Sequence, residues 1–455
     1  MMGPSPEIMR RVKFAAAAVC VALLFAGVCA AQNPPDNWAR CEGQDPDLSI
    51  VACTALIQSG QEDAENTAVA FNSRGIAHDA KGQHEQAIAD YSKAIQLKPD
   101  YAGAYNNRAN AHGSRGEFDK AVADYNVAIR LKPDDADAFN NRGNAYRATG
   151  KFDLAIADYG QAIKLKPDHA GAFNNRGSTY SDKGQYGPAI ADFTEAIKLK
   201  PDFAEAFSNR GNAYSDARQY DLAIADYTEA VRLNPTDAGN YYNRGIAYLV
   251  KGEYDLAIAD FGQAVRIKPD LAEAFHDRGV AYHDTGQDEL AIADFGQAIK
   301  LKPDFAIAFN ARGNAYRAQG EYAPAIADYS QAIKLKPDYA DALSNRCFAR
   351  SIAGPLQQAL EDCNQSLALR ANDAATLGSR GFVNLRMNNL DAAIADYNAA
   401  LAINPKKASA LYGRGLAKQL SGDAAGAAAD TAAAKSIQPD ISNQFKQWVS
   451  AKSGP

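Results

Sequence analysis

An arginine recurs every 34 residues through most of the 455-residue sequence, at Arg74, Arg108, Arg142, Arg176, Arg210, Arg244, Arg278, Arg312, Arg346, Arg380 and Arg414. An aspartate stands sixteen residues after each one, from Asp90 and Asp124 to Asp430. A cation and a carboxylate at one spacing in eleven copies suit an ion pair, a structural chemistry rather than a catalytic one. Asparagines precede several of the arginines, as at Asn106–Asn107, Asn140–Asn141 and Asn174–Asn175. An amide presents both a donor and an acceptor. Of six cysteines, the four beyond the N-terminal apolar run fall into two sets, Cys41 with Cys53 and Cys347 with Cys363, which suit disulfides in an exported protein. Zinc is the alternative, but the sets lie at opposite ends of the chain without histidines nearby. His276 and His283 share a helix face, yet seven residues of helix rise about 10.5 Å, too far for one metal. The HExxH, GxSxG and phosphate-cradling glycine patterns are absent. No catalytic residue, metal or cofactor is therefore assigned, and the chain is expected not to be an enzyme.

The elements that carry these residues follow from the period, which must be read before anything else. Residues 68–441 divide into eleven copies of 34 without insertion. In each, a first helical stretch such as ADAFNNRGNAYRAT ends at a turn glycine: Gly82, Gly116, Gly150, Gly184, Gly252, Gly286, Gly320, Gly354 or Gly422, with Arg218 and Asn388 as exceptions. Glycine suits the left-handed residue that closes a helix. A second stretch such as DLAIADYGQAIKL stops at a proline pair, mostly Lys-Pro or Asn-Pro, in ten of the eleven copies, because proline cannot continue a helix. Each copy is thus an antiparallel helical hairpin, and residues equidistant from its turn face each other. Arg142 and Asp158 meet that condition, and so do Cys347 and Cys363. Alanine from Ala87 to Ala427, glycine as at Gly143, and aromatics at Phe139, Tyr146 and Tyr159 form the packing columns.

The ends carry further expectations. Arg10, Arg11 and Lys13 precede the run FAAAAVCVALLFAGVCA, the order of a signal peptide over residues 1–31. Periplasmic export follows, with membrane anchoring as the alternative if the segment is retained. No later segment is apolar enough to cross a membrane. Residues 32–67, with Cys53 where a repeat has its aromatic, read as a half-repeat cap. Residues 442–455 read as a capping helix that covers the flank of the last repeat, with Ile441, Phe445, Trp448 and Val449 on one face. A net charge of −6 without a basic block gives nucleic acid no footing.

The period, the glycine after the arginine, and the columns of Tyr146, Ala155, Tyr159, Ala162 and Pro167 resemble the tetratricopeptide repeat. One systematic departure is arginine where that pattern usually has leucine. The resemblance implies an all-α, right-handed superhelical solenoid of helix-turn-helix repeats whose first helices line an inner groove. It further implies a scaffold that binds other proteins through extended segments. On that basis the groove residues are Asn107, Asn141, Asn175, Asn209 and Asn243, with a second row of Asn110, Asn144 and Asn212, and Tyr242 beside them. The asparagine rows resemble the inner face of the repeats in O-linked N-acetylglucosaminyltransferases, where such amides hold peptide backbone. Tyr242, Ile246, Leu249 and Val250, then Phe348, Ile352, Phe382 and Leu385, form an apolar surface that either binds a partner or packs internally. A polysaccharide-binding or export scaffold and a membrane-tethered envelope assembly factor are the rival functions. Oligomeric state stays open.

Overall fold

A computed structural model describes residues 34–450, and every regular element among them is a helix. The signal peptide expected over residues 1–31 lies outside the described residues. The third repeat shows how the sequence builds one hairpin. Asp135 caps the helix Ala136–Ala148 by accepting a hydrogen bond from the Ala138 N–H, which satisfies one of the unpaired donors of the first turn. Gly150 then takes φ 71°, and the second helix, Phe152–Leu165, ends before Lys166 and Pro167. Between the helices the Tyr159 ring lies so close to Gly143 that a Cβ there would come within 2.7 Å of it. The same approach recurs from Gly75 on Tyr91 to Gly313 on Tyr329. The alanine column from Ala87 to Ala427 is buried throughout.

Both non-glycine turns keep the left-handed conformation, with φ 59° at Arg218 and 60° at Asn388. The ninth repeat departs from the expectation: Gly354 is extended, at φ −129° and ψ −174°. Pro355 follows it, and proline drives the preceding residue to extended geometry. This hairpin closes without a left-handed residue.

The chain divides after Asp202 into two compact units. The first runs from the helix Pro34–Cys41 to Tyr186–Leu199. At its start Cys41 and Cys53 are joined, with Cα atoms 4.7 Å apart. They pack with Ala52, Leu56 and Ala70 under Trp38, whose indole N–H donates to Glu62 at 2.9 Å. The second unit runs from Ala204–Asp216 to Ile441–Ser450. In it Cys347 and Cys363, both fully buried, are joined with Cα atoms 5.4 Å apart. They stand where other repeats have the glycine and the ring, so the bridge fills the contact that the ring otherwise makes.

Candidate functional site

The guanidinium of each repeat fixes its first helix. Arg142 Nε and Nη2 donate to the two carboxylate oxygens of Asp158, each at 2.7 Å. The two-point pair forms in all eleven repeats. Phe139 and Tyr146 flank the Arg142 charge at 5.4 and 5.8 Å, a cation–π setting. The remaining nitrogen, Nη1, reaches the preceding repeat at Asn126. Its counterparts reach Ser92 from Arg108, Thr228 from Arg244 and Asn398 from Arg414. Arg74 does the same to Thr54 in the helix Pro46–Ser59, which therefore stands to the first repeat as a second helix does. The hydrogen bonds that Arg142 donates to Asp158 raise its pKa against the opposing effect of burial. In the last three repeats Arg350, Asn384 and Lys418 replace the tyrosine of that column. Each sends a further donor to the same aspartate, at 2.7, 2.9 and 2.9 Å.

Consecutive first helices then bring the asparagines into contact. In the first unit Asn107 Nδ2 donates to Asn72 at 3.1 Å, Asn141 to Asn110 at 3.3 Å, and Asn175 to Asn140 at 3.0 Å. In the second unit Asn243 donates to Asn212 at 3.0 Å and Asn345 to Asn310 at 3.0 Å. Asn209 lies half-buried on the helix Ala204–Asp216. The rows are therefore bonded edge to edge across repeats. An amide nitrogen carries two N–H groups, so each bonded donor keeps a second one.

The second row has an additional task that the sequence reading missed. Tyr125, Tyr159, Tyr227 and Tyr329 donate their buried hydroxyls to Asn110, Asn144, Asn212 and Asn314 at 2.5 to 2.9 Å. Burial raises the Tyr329 pKa to about 12 and pushes the other three higher still. Where the ring is phenylalanine, at Phe193, Phe261 and Phe295, the partner position holds Ser178, Ile246 and Val280. The match is partial, since Tyr91 stands opposite Ile76 and Tyr397 opposite Phe382.

Tyr242 leaves the amide pattern. Its hydroxyl donates to Asp277 at 2.7 Å, and burial foremost, then that carboxylate, raises its pKa. His276 Nδ1 lies 2.8 Å from the same carboxyl group. Ile246 and Leu249 are half-buried, and Val250 is exposed. Further along, Ile352 and Phe382 are buried, and Phe348 packs on Trp448. That part of the apolar surface is internal. Among the described residues no three His, Cys, Asp or Glu side chains gather as metal ligands, and no helix is long and apolar enough to cross a membrane.

The sequence model described as TPR repeat matches residues 75–114, 110–149, 143–184, 177–217, 247–286, 279–318, 313–350 and 385–422. Those described as tetratricopeptide repeat match 204–237 and 226–259. Together these matches span more than half of the chain. No curated protein matches. Among solved structures, YrrB, described as a TPR protein with an unusual peptide-binding site, is 26% identical with a TM-score of 0.38, over 41% of this chain and 97% of that one. MamA is 27% identical with a TM-score of 0.35, over 36% and 96%. The APC/C hetero-tetramer Cut9–Hcn1 is 14% identical with a TM-score of 0.48, over 89% and 93%.

Proposed function

Since the chain belongs to the tetratricopeptide repeat family, whose repeats serve as protein-interaction scaffolds, we propose that it holds extended segments of partner proteins against its asparagine rows without catalysis. The observation that carries this reading is the edge-to-edge bonding of the amides, Asn141 to Asn110 and Asn243 to Asn212 being examples. Amides already fixed by their neighbours lose little side-chain freedom when a ligand arrives. Each retained N–H can meet a peptide carbonyl of any sequence, so the partner is selected by being extended rather than by its side chains. Asn107, Asn141 and Asn175 with Asn110 and Asn144 serve the first unit; Asn209, Asn243, Asn212 and Tyr242 serve the second. Two buried disulfides favour a partner outside the cytosol, in keeping with a periplasmic envelope protein.

Photo-crosslinking in the native cell tests this. Probes at Asn141, Asn175 and Asn209 are expected to capture one partner that a probe at the exposed Lys198 does not. Capture from Lys198 alone, or from none of the four, would remove the amide rows as the working surface.

A further inference from the structure

The helix Ile441–Ser450 is seated on the first helices of the ninth to eleventh repeats. Trp448 meets the Phe348 ring edge-on, with centroids 5.2 Å apart, and Phe382 at 5.8 Å. Phe445 meets Phe382 at 5.5 Å and Tyr412 at 4.9 Å. Phe348 and Phe382 occupy the column of Asn144, and Tyr412 that of Asn140. The helix thus lies on the positions that carry the amide rows elsewhere, where ring faces and edges replace hydrogen-bonding groups.

This seat is incompletely filled and its charge is unmatched. A cavity of about 380 Å³ remains beside the helix, lined by Arg317, Phe348, Gly378, Lys407, Gln444 and Trp448 among others, with no carboxylate in its wall. Arg317 stands over the Phe348 ring, and its Nε is buried without a hydrogen-bond acceptor. The Lys407 stem lies over Gly378, where even a Cβ would come within 3.2 Å of it. The helix itself, ISNQFKQWVS, offers these cations no acid. Of its ten residues Ile441 and Phe445 are buried, Trp448 is half-buried and Val449 is 58% exposed. It joins the eleventh repeat through Gln438, Pro439 and Asp440 alone.

We propose that this surface is a docking site for an amphipathic helix of a partner protein, with aromatic residues three apart and carboxylates beside them. The chain's own last helix holds the site as a displaceable occupant. Its rings satisfy the apolar half of the site and leave Arg317 and Lys407 for the partner's acids. A partner's apparent affinity is lowered by the fraction of chains in which the seat is open. The site is separate from the amide rows, so crosslinking at Asn141 and the experiment below succeed or fail independently.

The test uses the full chain and its Phe445→Ala/Trp448→Ala variant, with labelled peptides of residues 438–450 as probes, unaltered or carrying Gln444→Glu. Both peptides are expected to bind the variant at least about tenfold more tightly than the unaltered protein, because the seat is open. The Glu form is expected to bind about threefold or more tighter than the Gln form, a preference that Arg317→Ala and Lys407→Ala in the variant remove. Equal binding to both proteins, or none to a variant that still melts cooperatively, would overturn the proposal. Loss of the cooperative melt would make the helix an integral part of the fold and overturn displaceability. A gain without preference for the Glu form would overturn the acidic partner. Concentration-dependent dimers of the unaltered chain in sedimentation would assign the seat to a second copy instead.

Discussion

At the scale of single residues, the arginine column does the work that an aliphatic residue does in the usual family pattern. Asp192 is 6% exposed and takes both oxygens to Arg176 at 2.7 Å. Removing one partner of such a pair strands the other, at a cost of roughly 3–5 kcal/mol, whereas replacing both with apolar residues is often near neutral. Arg176→Leu is expected to lower stability by about 3 kcal/mol, and Arg176→Leu/Asp192→Leu to recover most of it. Urea melts of the three proteins decide, and an unchanged midpoint for the single variant would reduce the pair to surface decoration. The tyrosine–asparagine pairs make a second case. Asn212→Ile leaves the Tyr227 hydroxyl without its acceptor and is expected to cost about 1–3 kcal/mol. Tyr227→Phe in the same chain should restore most of that loss, because it recreates the Phe261–Ile246 pair of the sixth repeat. Additive losses in the double variant would show that the hydrogen bond is not what links the two positions. The arginine–aspartate pairing could be read from a sixteen-residue spacing, since both residues lie on one hairpin. The third guanidinium nitrogen could not, because its acceptor belongs to the preceding hairpin.

At the scale of elements, the turn between the two helices sets how each hairpin closes. Arg218 holds φ 59° where other repeats place glycine at φ 69° to 94°. A residue with a side chain is disfavoured there by roughly 1–2 kcal/mol, part of which glycine returns through the entropy of the unfolded chain. Arg218→Gly is therefore expected to stabilise the protein by about 0.5–1 kcal/mol, and Asn388→Gly by less, since asparagine tolerates this region. A thermal melt that does not rise for Arg218→Gly would contradict the assignment. The sequence placed nearly every turn correctly because glycine and proline act locally. It placed the turn at Gly354 as well but missed its extended conformation, because the competing demand came from Pro355. The last helix was expected over the flank of the last repeat, and it reaches back to Phe348. An amphipathic pattern tells which face is buried and is silent on what buries it.

At the scale of the whole molecule, each unit contains one disulfide, Cys41–Cys53 in the first and Cys347–Cys363 in the second. In a repeat array stability is close to a sum of local terms, so each bridge acts mainly on its own unit. Closing a loop of sixteen residues stabilises by about 3 kcal/mol in the chain-entropy view. Reductant is expected to lower the melting transition of the unaltered protein and to leave Cys347→Gly/Cys363→Tyr much less affected, because that variant rebuilds the glycine–ring contact of its neighbours. Identical melts with and without reductant would mean that the bridges contribute nothing. The hairpins, their ion pairs, the alanine and aromatic columns and the positions of the amides followed from the residues, because a 34-residue period makes every contact within a hairpin a matter of sequence spacing. The tyrosine–asparagine bonds, fifteen residues apart within one hairpin, were open to the same reading, but the bonding of each amide to its neighbour and the last helix on Phe348 and Phe382 came from packing between hairpins. Those contacts depend on how one repeat sits on the next, and no spacing along the chain records that.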